Sequence, residues 1–352
     1  MQQRPLSRTG REVSAIGLGT WQLGPDWGGV SEDEALSVLA ASADAGVTLF
    51  DTADVYGDGR SEEIIGKFLR STDAAGITVA TKMGRREDQV PENYTIENFR
   101  SWLDRSRRLL GTDTLDLVQL HCPPSAVIDD DSTWDALDQL VAEGVIAAYG
   151  ASVETMDQAL SALQRPNLTN LQIIFNPFRL KPLDEVLPLA AEKNVAVLAR
   201  VPLASGLLSG KYTHDTTFDK DDHRTYNRNG EAFDKGETFS GVPFDEGVAA
   251  ADELKNALPE GVTLPAATLA WIASREGITS VIPGARSVQQ ATANAAAADL
   301  IDGGFDLAAF DALVRDVYDR RLRGRRSTRS GETDMTKAGP VRVDEPGFSF
   351  GR

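Results

Sequence analysis

The run Leu49-Phe50-Asp51-Thr52-Ala53-Asp54-Val55-Tyr56-Gly57 begins apolar and ends as a polar, glycine-punctuated loop. Such a run predicts a short buried strand over Val47–Asp51 that delivers an acid and a phenol to its carboxyl end. A helix pattern follows over Ser61–Leu69, so the unit is strand, loop, helix. The same unit recurs along the chain. Upstream, Ala15–Gly19 reads as a strand, and Ser31 caps a helix to about Ala45 with Glu34 in the capping-box position. Downstream strands are expected over Ile77–Lys82, Leu115–His121, Val145–Ala151, Leu171–Phe175, Val195–Val201 and Ile278–Ile282. The intervening helices lie near Thr95–Leu110, Ser132–Glu143, Glu154–Leu163, Leu183–Lys193 and Val288–Ala298. Eight apolar strands, each with a following helix, predict a closed (β/α)8 barrel, the TIM-barrel architecture, over an open doubly wound sheet.

Three features decorate this core. A turn at Thr9-Gly10 predicts an N-terminal hairpin. A polar insert rich in Asp, Gly, Thr and Arg spans roughly Leu203–Glu246, and a loop that long in a compact domain is functional or disordered. Helices near Gly247–Ala257 and Leu264–Glu276 precede the last strand, and an extra helix runs from Asp306 to about Tyr318. The barrel domain is placed at 1–319. The remainder, 320–352, reads as a basic tail carrying Arg320, Arg321, Arg323, Arg325, Arg326 and Arg329, either mobile or a binding segment for anions or a partner.

Composition narrows the function classes. The 352 residues include 41% hydrophobic and 25% charged residues, as in a globular protein with a full core. A net charge of -17 argues against nucleic acid or an anionic membrane as the main partner. The single cysteine, Cys122, excludes an internal disulfide and disfavours a cysteine-based metal site. No secretory leader and no membrane-length apolar run are seen, so a cytoplasmic protein without a metal is expected. A homo-oligomer stays possible and is not readable from the sequence.

Barrel enzymes build their sites at the carboxyl ends of the strands. Asp51, Lys82 and His121 end three successive strands, and Tyr56 overhangs them. An ammonium beside a phenol stabilises phenolate, so Lys82 is expected to lower the ordinary Tyr56 pKa of about 10. Asp51 would hold Lys82, and His121 would orient a carbonyl oxygen. The group suits carbonyl reduction with Tyr56 as proton donor. Gly17-Leu18-Gly19-Thr20-Trp21-Gln22 is not a dinucleotide fingerprint, because Gln22 stands where its third glycine belongs.

At these residues the chain resembles the aldo-keto reductases. Gly46–Gly57 is similar to the family's first signature, Val79-Ala80-Thr81-Lys82 to its lysine strand and Gln119-Leu120-His121 to its histidine strand. The resemblance covers about Arg4–Leu300. It implies a (β/α)8 barrel binding NADPH without a Rossmann motif, and a catalytic tetrad of Asp51, Tyr56, Lys82 and His121. It further implies cofactor contacts from Asp51 and from Gly19, Thr20 and Trp21 after the first strand. Ser152 and Gln172 match the carboxamide-binding positions. Val153 replaces a usual Asn, and Arg200 replaces a usual stacking aromatic, with a guanidinium able to lie flat on the ring. Pro202, Leu203, Ser205, Gly206, Leu208 and Lys211 match the loop over the pyrophosphate, with Arg224 assisting. Gly284, Arg286, Gln290 and Asn294 match the adenosine-phosphate segment. Arg286 suits a 2′-phosphate or is simply a solvated helix-start residue. Trp21, Tyr56 and His121 would meet a small carbonyl substrate, and Trp27 and Phe178 either line its mouth or pack in the barrel. Because the same fold serves as a channel-associated β-subunit, an NADP(H)-sensing subunit with slow turnover is the competing function. A metal-free hydrolase or isomerase on the same barrel is a third.

Overall fold

The structure is a computed structural model that describes residues 1–24, 30–71, 76–220, 222–231 and 234–323. Trp27, the Pro25–Gly29 loop and Arg325, Arg326 and Arg329 lie outside the described residues. An antiparallel hairpin, β1 (Gln3–Pro5) and β2 (Glu12–Ser14), pairs Gln3 with Ser14. The barrel strands are β3 (Leu18–Gly19), β4 (Leu49–Asp51), β5 (Thr78–Met83), β6 (Leu117–His121), β7 (Tyr149–Ser152), β8 (Asn170–Ile174), β9 (Ala196–Arg200) and β10 (Ser280–Val281). All eight are parallel and lie side by side in chain order. Parallel bridges Ile16–Val281 and Gly19–Gly284 join the first strand to the last and close the ring. The seam is tight at Gly17, where a Cβ would sit 3.1 Å from both Ile282 and the Leu49 carbonyl. The barrel expected from the strand count is the fold observed.

Strand alternation divides the core into two shells. Leu49, Ala80, Leu117, Ala148, Ala196, Leu198 and Ile282 fill the barrel interior. Leu6 and Val13 from the hairpin join this cluster and are both fully buried, so the hairpin plugs the barrel rather than decorating it. Burying a side chain such as Leu6 stabilises by roughly 1.5–3 kcal/mol. Phe50, Val79, Val118, Tyr149, Ala151, Leu171, Ile173, Val197 and Ala199 face the opposite way, into the layer shared with the helices. The same alternation then assigns the polar residues at the strand ends. Two residues beyond an interior Leu49, Ala80 or Leu198 come Asp51, Lys82 and Arg200, all aimed inward.

The helices begin where their caps stand. Ser31 accepts from the Glu34 amide while the Glu34 carboxylate accepts from the Ser31 amide at 2.9 Å, completing the expected capping box. Replacing Ser31 by Ala removes a cap worth about 1 kcal/mol. Urea denaturation should register that loss with activity unchanged, because the exposed Ser31 side chain bonds to Glu34 of its own helix and not to the tetrad. Val145–Ala148 was expected in the fifth barrel strand, yet β7 starts at Tyr149. The earlier segment pairs through the isolated bridge Leu115–Ile146 and the bond from the Val118 amide to the Ala148 carbonyl at 3.0 Å, while the Val145 amide is turned back to the Leu140 carbonyl.

At the carboxyl end the helix Leu307–Val317 continues into a wider turn, Tyr318–Leu322, with Leu322 fully buried. The expected domain boundary at 320 therefore falls inside a packed segment. Arg320 pairs with Asp316 and Glu253, Arg321 with Glu253 and Glu246, and Arg323 with Asp319. The described half of the arginine cluster is thus spent on acids of its own helix and of Phe244–Asn256. No helix among the described residues is long and apolar enough to cross a membrane.

Candidate active site

Asp51, Lys82, His121 and Tyr56 meet at the carboxyl rim of the barrel. The Lys82 ammonium, 1% exposed, donates to Asp51 Oδ1 at 2.6 Å and to the Thr52 carbonyl at 2.8 Å. It also reaches the Tyr56 hydroxyl at 3.4 Å. The ring of His121 lies edge-on to that of Tyr56, with centroids 5.9 Å apart. Thr20 fixes the backbone beneath: its amide and its hydroxyl both donate to the Asp51 carbonyl, at 2.9 and 2.8 Å.

Electrostatics differ from the sequence expectation at one point. Burial pushes the Tyr56 phenol above its ordinary value, and the Lys82 ammonium, the largest opposing influence, does not cancel it. The expected net lowering is therefore absent in the protein alone, because desolvation of a phenolate outweighs one neighbouring cation. Burial would lower the Lys82 ammonium, but Asp51 and Tyr56 outweigh it and hold the group charged. For His121, burial and then the cations Arg85, Lys82 and Arg200 keep the imidazole well below its usual range and neutral. Its Nδ1 is buried without a hydrogen-bond partner.

A second set of buried polar groups adjoins the first. Asp51 Oδ2 accepts from Gln172 at 2.7 Å and from Gln119 at 3.2 Å. The Gln172 carbonyl in turn accepts from Ser152 at 3.3 Å, so the expected carboxamide pair is preassembled against the acid. Gln119 escaped the sequence reading although it stands two residues before His121 on the same strand face. Arg200 does not lie free beneath a ring. It pairs with Glu237 of the long insert and donates to the Val153 carbonyl at 3.0 Å. Val153 itself is fully buried, so the two departures from the family pattern meet in one contact. Glu237 was not foreseen, since nothing local marks one acid among many in the insert.

Beside Arg200, Cys122, Glu154 and Glu237 bring ligand-type atoms within 4.8 Å of one another. Both carboxylates there face arginines: Glu237 pairs with Arg200, and Glu154 with Arg85 at 3.5 Å. Burial and the Glu237 charge push the Glu154 carboxyl up to about 7.

The described part of the insert is held by specific pins. The Ser205 hydroxyl donates to the Glu237 carbonyl at 2.8 Å and accepts from the Phe239 amide at 3.1 Å. Asn176 donates to the Ser240 hydroxyl at 2.7 Å. Val201, Ala204, Ser205, Phe239 and Ser240 all carry φ between 48° and 57°. Such left-handed backbone is costly for residues other than glycine, and it gathers where the insert meets β9. Within the expected phosphate loop, Leu208 is fully buried and Pro202 is buried, and the Leu208 side chain packs in the core. Leu203 and Gly206 are partly exposed and Lys211 is exposed. Arg224 makes a two-pronged pair with Asp222, donates to the Tyr212 hydroxyl and stacks 4.5 Å over Phe218.

At the last strand, Gly19 and Gly284 face each other through their bridge, and a Cβ on Gly19 would lie 3.1 Å from the Ile282 carbonyl. The Gln290 side chain accepts from the Arg286 amide at 2.8 Å, and Asn294 donates to the Gly284 carbonyl at 3.1 Å. Both side chains therefore shape the turn, while Arg286 is exposed. Trp21 meets His223 edge-on at 5.2 Å over the same rim. Phe178 is fully buried in the outer core and does not line the mouth.

Residues 15–302 match the sequence profile of the Aldo/keto reductase family. The chain is 29% identical over 296 residues to aldo-keto reductase YhdN of Bacillus subtilis, covering 82% of this chain and 86% of that protein. The solved structure of glycerol dehydrogenase AKR11B4 from Gluconobacter oxydans superposes with a TM-score of 0.73 and 30% identity, over 91% of this chain and 96% of the other. An aldo/keto reductase from Klebsiella pneumoniae, solved with NADP and acetate, gives 0.65 and 25%, over 89% and 96%. With the profile spanning nearly the whole barrel, the protein belongs to the aldo/keto reductase family of oxidoreductases.

Proposed function

We propose that the protein reduces small aldehydes or ketones to alcohols with NADPH, Tyr56 giving the proton. The observation that carries this reading is the unbroken chain Asp51–Lys82–Tyr56 with neutral His121 beside the phenol. The residues present fit a nicotinamide dinucleotide. A buried hydroxyl and amide, Ser152 and Gln172, suit a carboxamide, and the bridged pair Gly19 and Gly284 adds no side chain to the end of the first strand. Lys211, Arg224 and Arg286 place cations further out, where phosphates would lie. The Klebsiella relative solved with NADP supports the same choice.

When bound, the reduced nicotinamide supplies a hydride to the carbonyl carbon. The protein supplies the rest. Tyr56 O–H gives its proton to the carbonyl oxygen, and the phenolate left behind is stabilised by the Lys82 ammonium. Asp51 keeps that ammonium charged and aimed. His121, kept neutral, donates a ring N–H to the same oxygen and orients it, and Trp21 walls the opening. Arg200, tied to Glu237 and the Val153 carbonyl, braces the floor instead of stacking as an aromatic would.

Consumption of NADPH with a panel of aldehydes tests the reading. Binding of NADPH without measurable turnover would instead favour a sensing subunit. For the cofactor preference, Arg286→Ala is expected to raise the NADPH Kd by about ten- to hundredfold, as for a lost charge-assisted contact. The NADH Kd should stay within twofold. Equal weakening of both cofactors would remove the 2′-phosphate role from Arg286.

A further inference from the structure

We infer that Gln119 is a positioning residue for the reaction: it clamps the second carboxylate oxygen of Asp51 so that the first stays on Lys82. This rests on the carbonyl-reductase reading above.

Three observations carry it. Gln119 is fully buried and points into the barrel beside Lys82, its register partner on β5. Its Nε2 donates to Asp51 Oδ2 at 3.2 Å, while its Oε1 is buried with no hydrogen-bond partner. Half of the amide is therefore desolvated without compensation, which a leucine at the same place would avoid. A side chain serving stability alone would not carry that cost; the one favourable contact its amide makes is to Asp51. The opposite amide orientation would set Oε1 against a carboxylate, so the donor must face the acid.

The second donor to Asp51 Oδ2, Gln172, cannot be counted on throughout turnover. Its carbonyl already accepts from Ser152, and its amide belongs to the set that suits a nicotinamide carboxamide. Gln119 has no such competing contact among the described residues. It is the donor that stays on Asp51 when Gln172 turns to another partner. Holding Oδ2 fixes the carboxylate plane, and the plane decides whether Oδ1 points at Lys82 Nζ, 2.6 Å away. If the plane is free to rotate, the ammonium drifts from Tyr56 and phenolate loses its main stabiliser. The charged groups acting on that phenol are Lys82, Asp51 and Glu237.

The test compares Gln119→Leu with the parent. Expected are a thermal midpoint equal to or above the parent's, an NADPH Kd within twofold, and a kcat for aldehyde reduction lower by ten- to hundredfold. In the reverse direction, where phenolate is the base, the rising limb of the pH profile for alcohol oxidation should move up by about one pH unit. Gln119→Asn, too short to reach Asp51, should give the same displaced profile and serves if the leucine variant does not fold. An unmoved pH limb with kcat within twofold of the parent would overturn the proposal. So would a kcat loss that merely tracks a lowered melting temperature. Failure of the underlying reading looks different: the parent itself would not reduce aldehydes, or Tyr56→Phe would reduce them as fast.

Discussion

Tyr56→Phe should lower kcat for aldehyde reduction by about 10²–10⁴-fold while NADPH still binds, the range set by loss of a positioned general acid. The size follows from what else is near. Lys82 is the polar side chain that contacts the Tyr56 hydroxyl, and it is held charged by Asp51, so it does not replace the phenol as proton donor at neutral pH. His121 is kept neutral by burial and three cations, and it has no acidic proton to offer either. The substitution leaves the ring in place against His121, and the hydroxyl makes one long contact of 3.4 Å, so stability should change by less than about 1 kcal/mol. Steady-state kinetics paired with cofactor fluorescence titration checks both halves. Parent-like turnover in Tyr56→Phe would remove Tyr56 from the chemistry.

Asp54→Asn should make the protein markedly more stable above neutral pH, with the gain vanishing in acid. Asp54 sits in the loop between Asp51 and Tyr56, fully buried, with neither carboxylate oxygen in a well-formed hydrogen bond. Burial, then the negative charge of buried Glu62, pushes its carboxyl up to about 8. In the unfolded chain the same group titrates near 3.9. Between these values the folded state holds a proton that the unfolded state lacks, so stability falls as pH rises. Below about pH 4 no penalty exists. It grows by about 1.4 kcal/mol per pH unit and is complete near pH 8, reaching about 6 kcal/mol at most. Asparagine mimics the protonated acid and escapes that loss. Urea denaturation of parent and variant at pH 5 and pH 8 measures it: the difference between the two proteins should widen with pH. A constant difference would mean that Asp54 does not carry a proton in the folded state.

The loop that holds this acid is also what positions Tyr56. Arg86 and Arg105 donate to the Asp54 carbonyl at 3.0 and 3.3 Å and both reach Asp58, while the Asp54 amide donates to the Lys82 carbonyl at 3.1 Å. Backbone contacts, not the carboxyl, fix the loop, so Asp54→Asn is expected to leave turnover intact.

Much of this was legible in the chain itself. Eight apolar runs with following helices pointed to a barrel over an open sheet, and the alternation that buries Leu49, Ala80 and Leu117 inside it also aims Asp51, Lys82 and His121 at one rim. Gln119 was equally legible by that alternation, being in phase with His121, but an uncharged side chain gives no local sign of chemistry. For Phe178 the sequence left mouth and core equally open, because hydrophobicity does not distinguish a core position from a pocket wall, and its full burial decides for the core.

What the chain alone determined is therefore the order of strands and the inward direction of their last side chains, both set by short-range periodicity. Tertiary structure decided the rest. Glu237 reaches Arg200 across 37 positions of sequence, Gln172 reaches Asp51 across 121, and the depth of burial reverses the expected direction for Tyr56. Pairing and desolvation are properties of distances between distant segments, and no local pattern of residues encodes them.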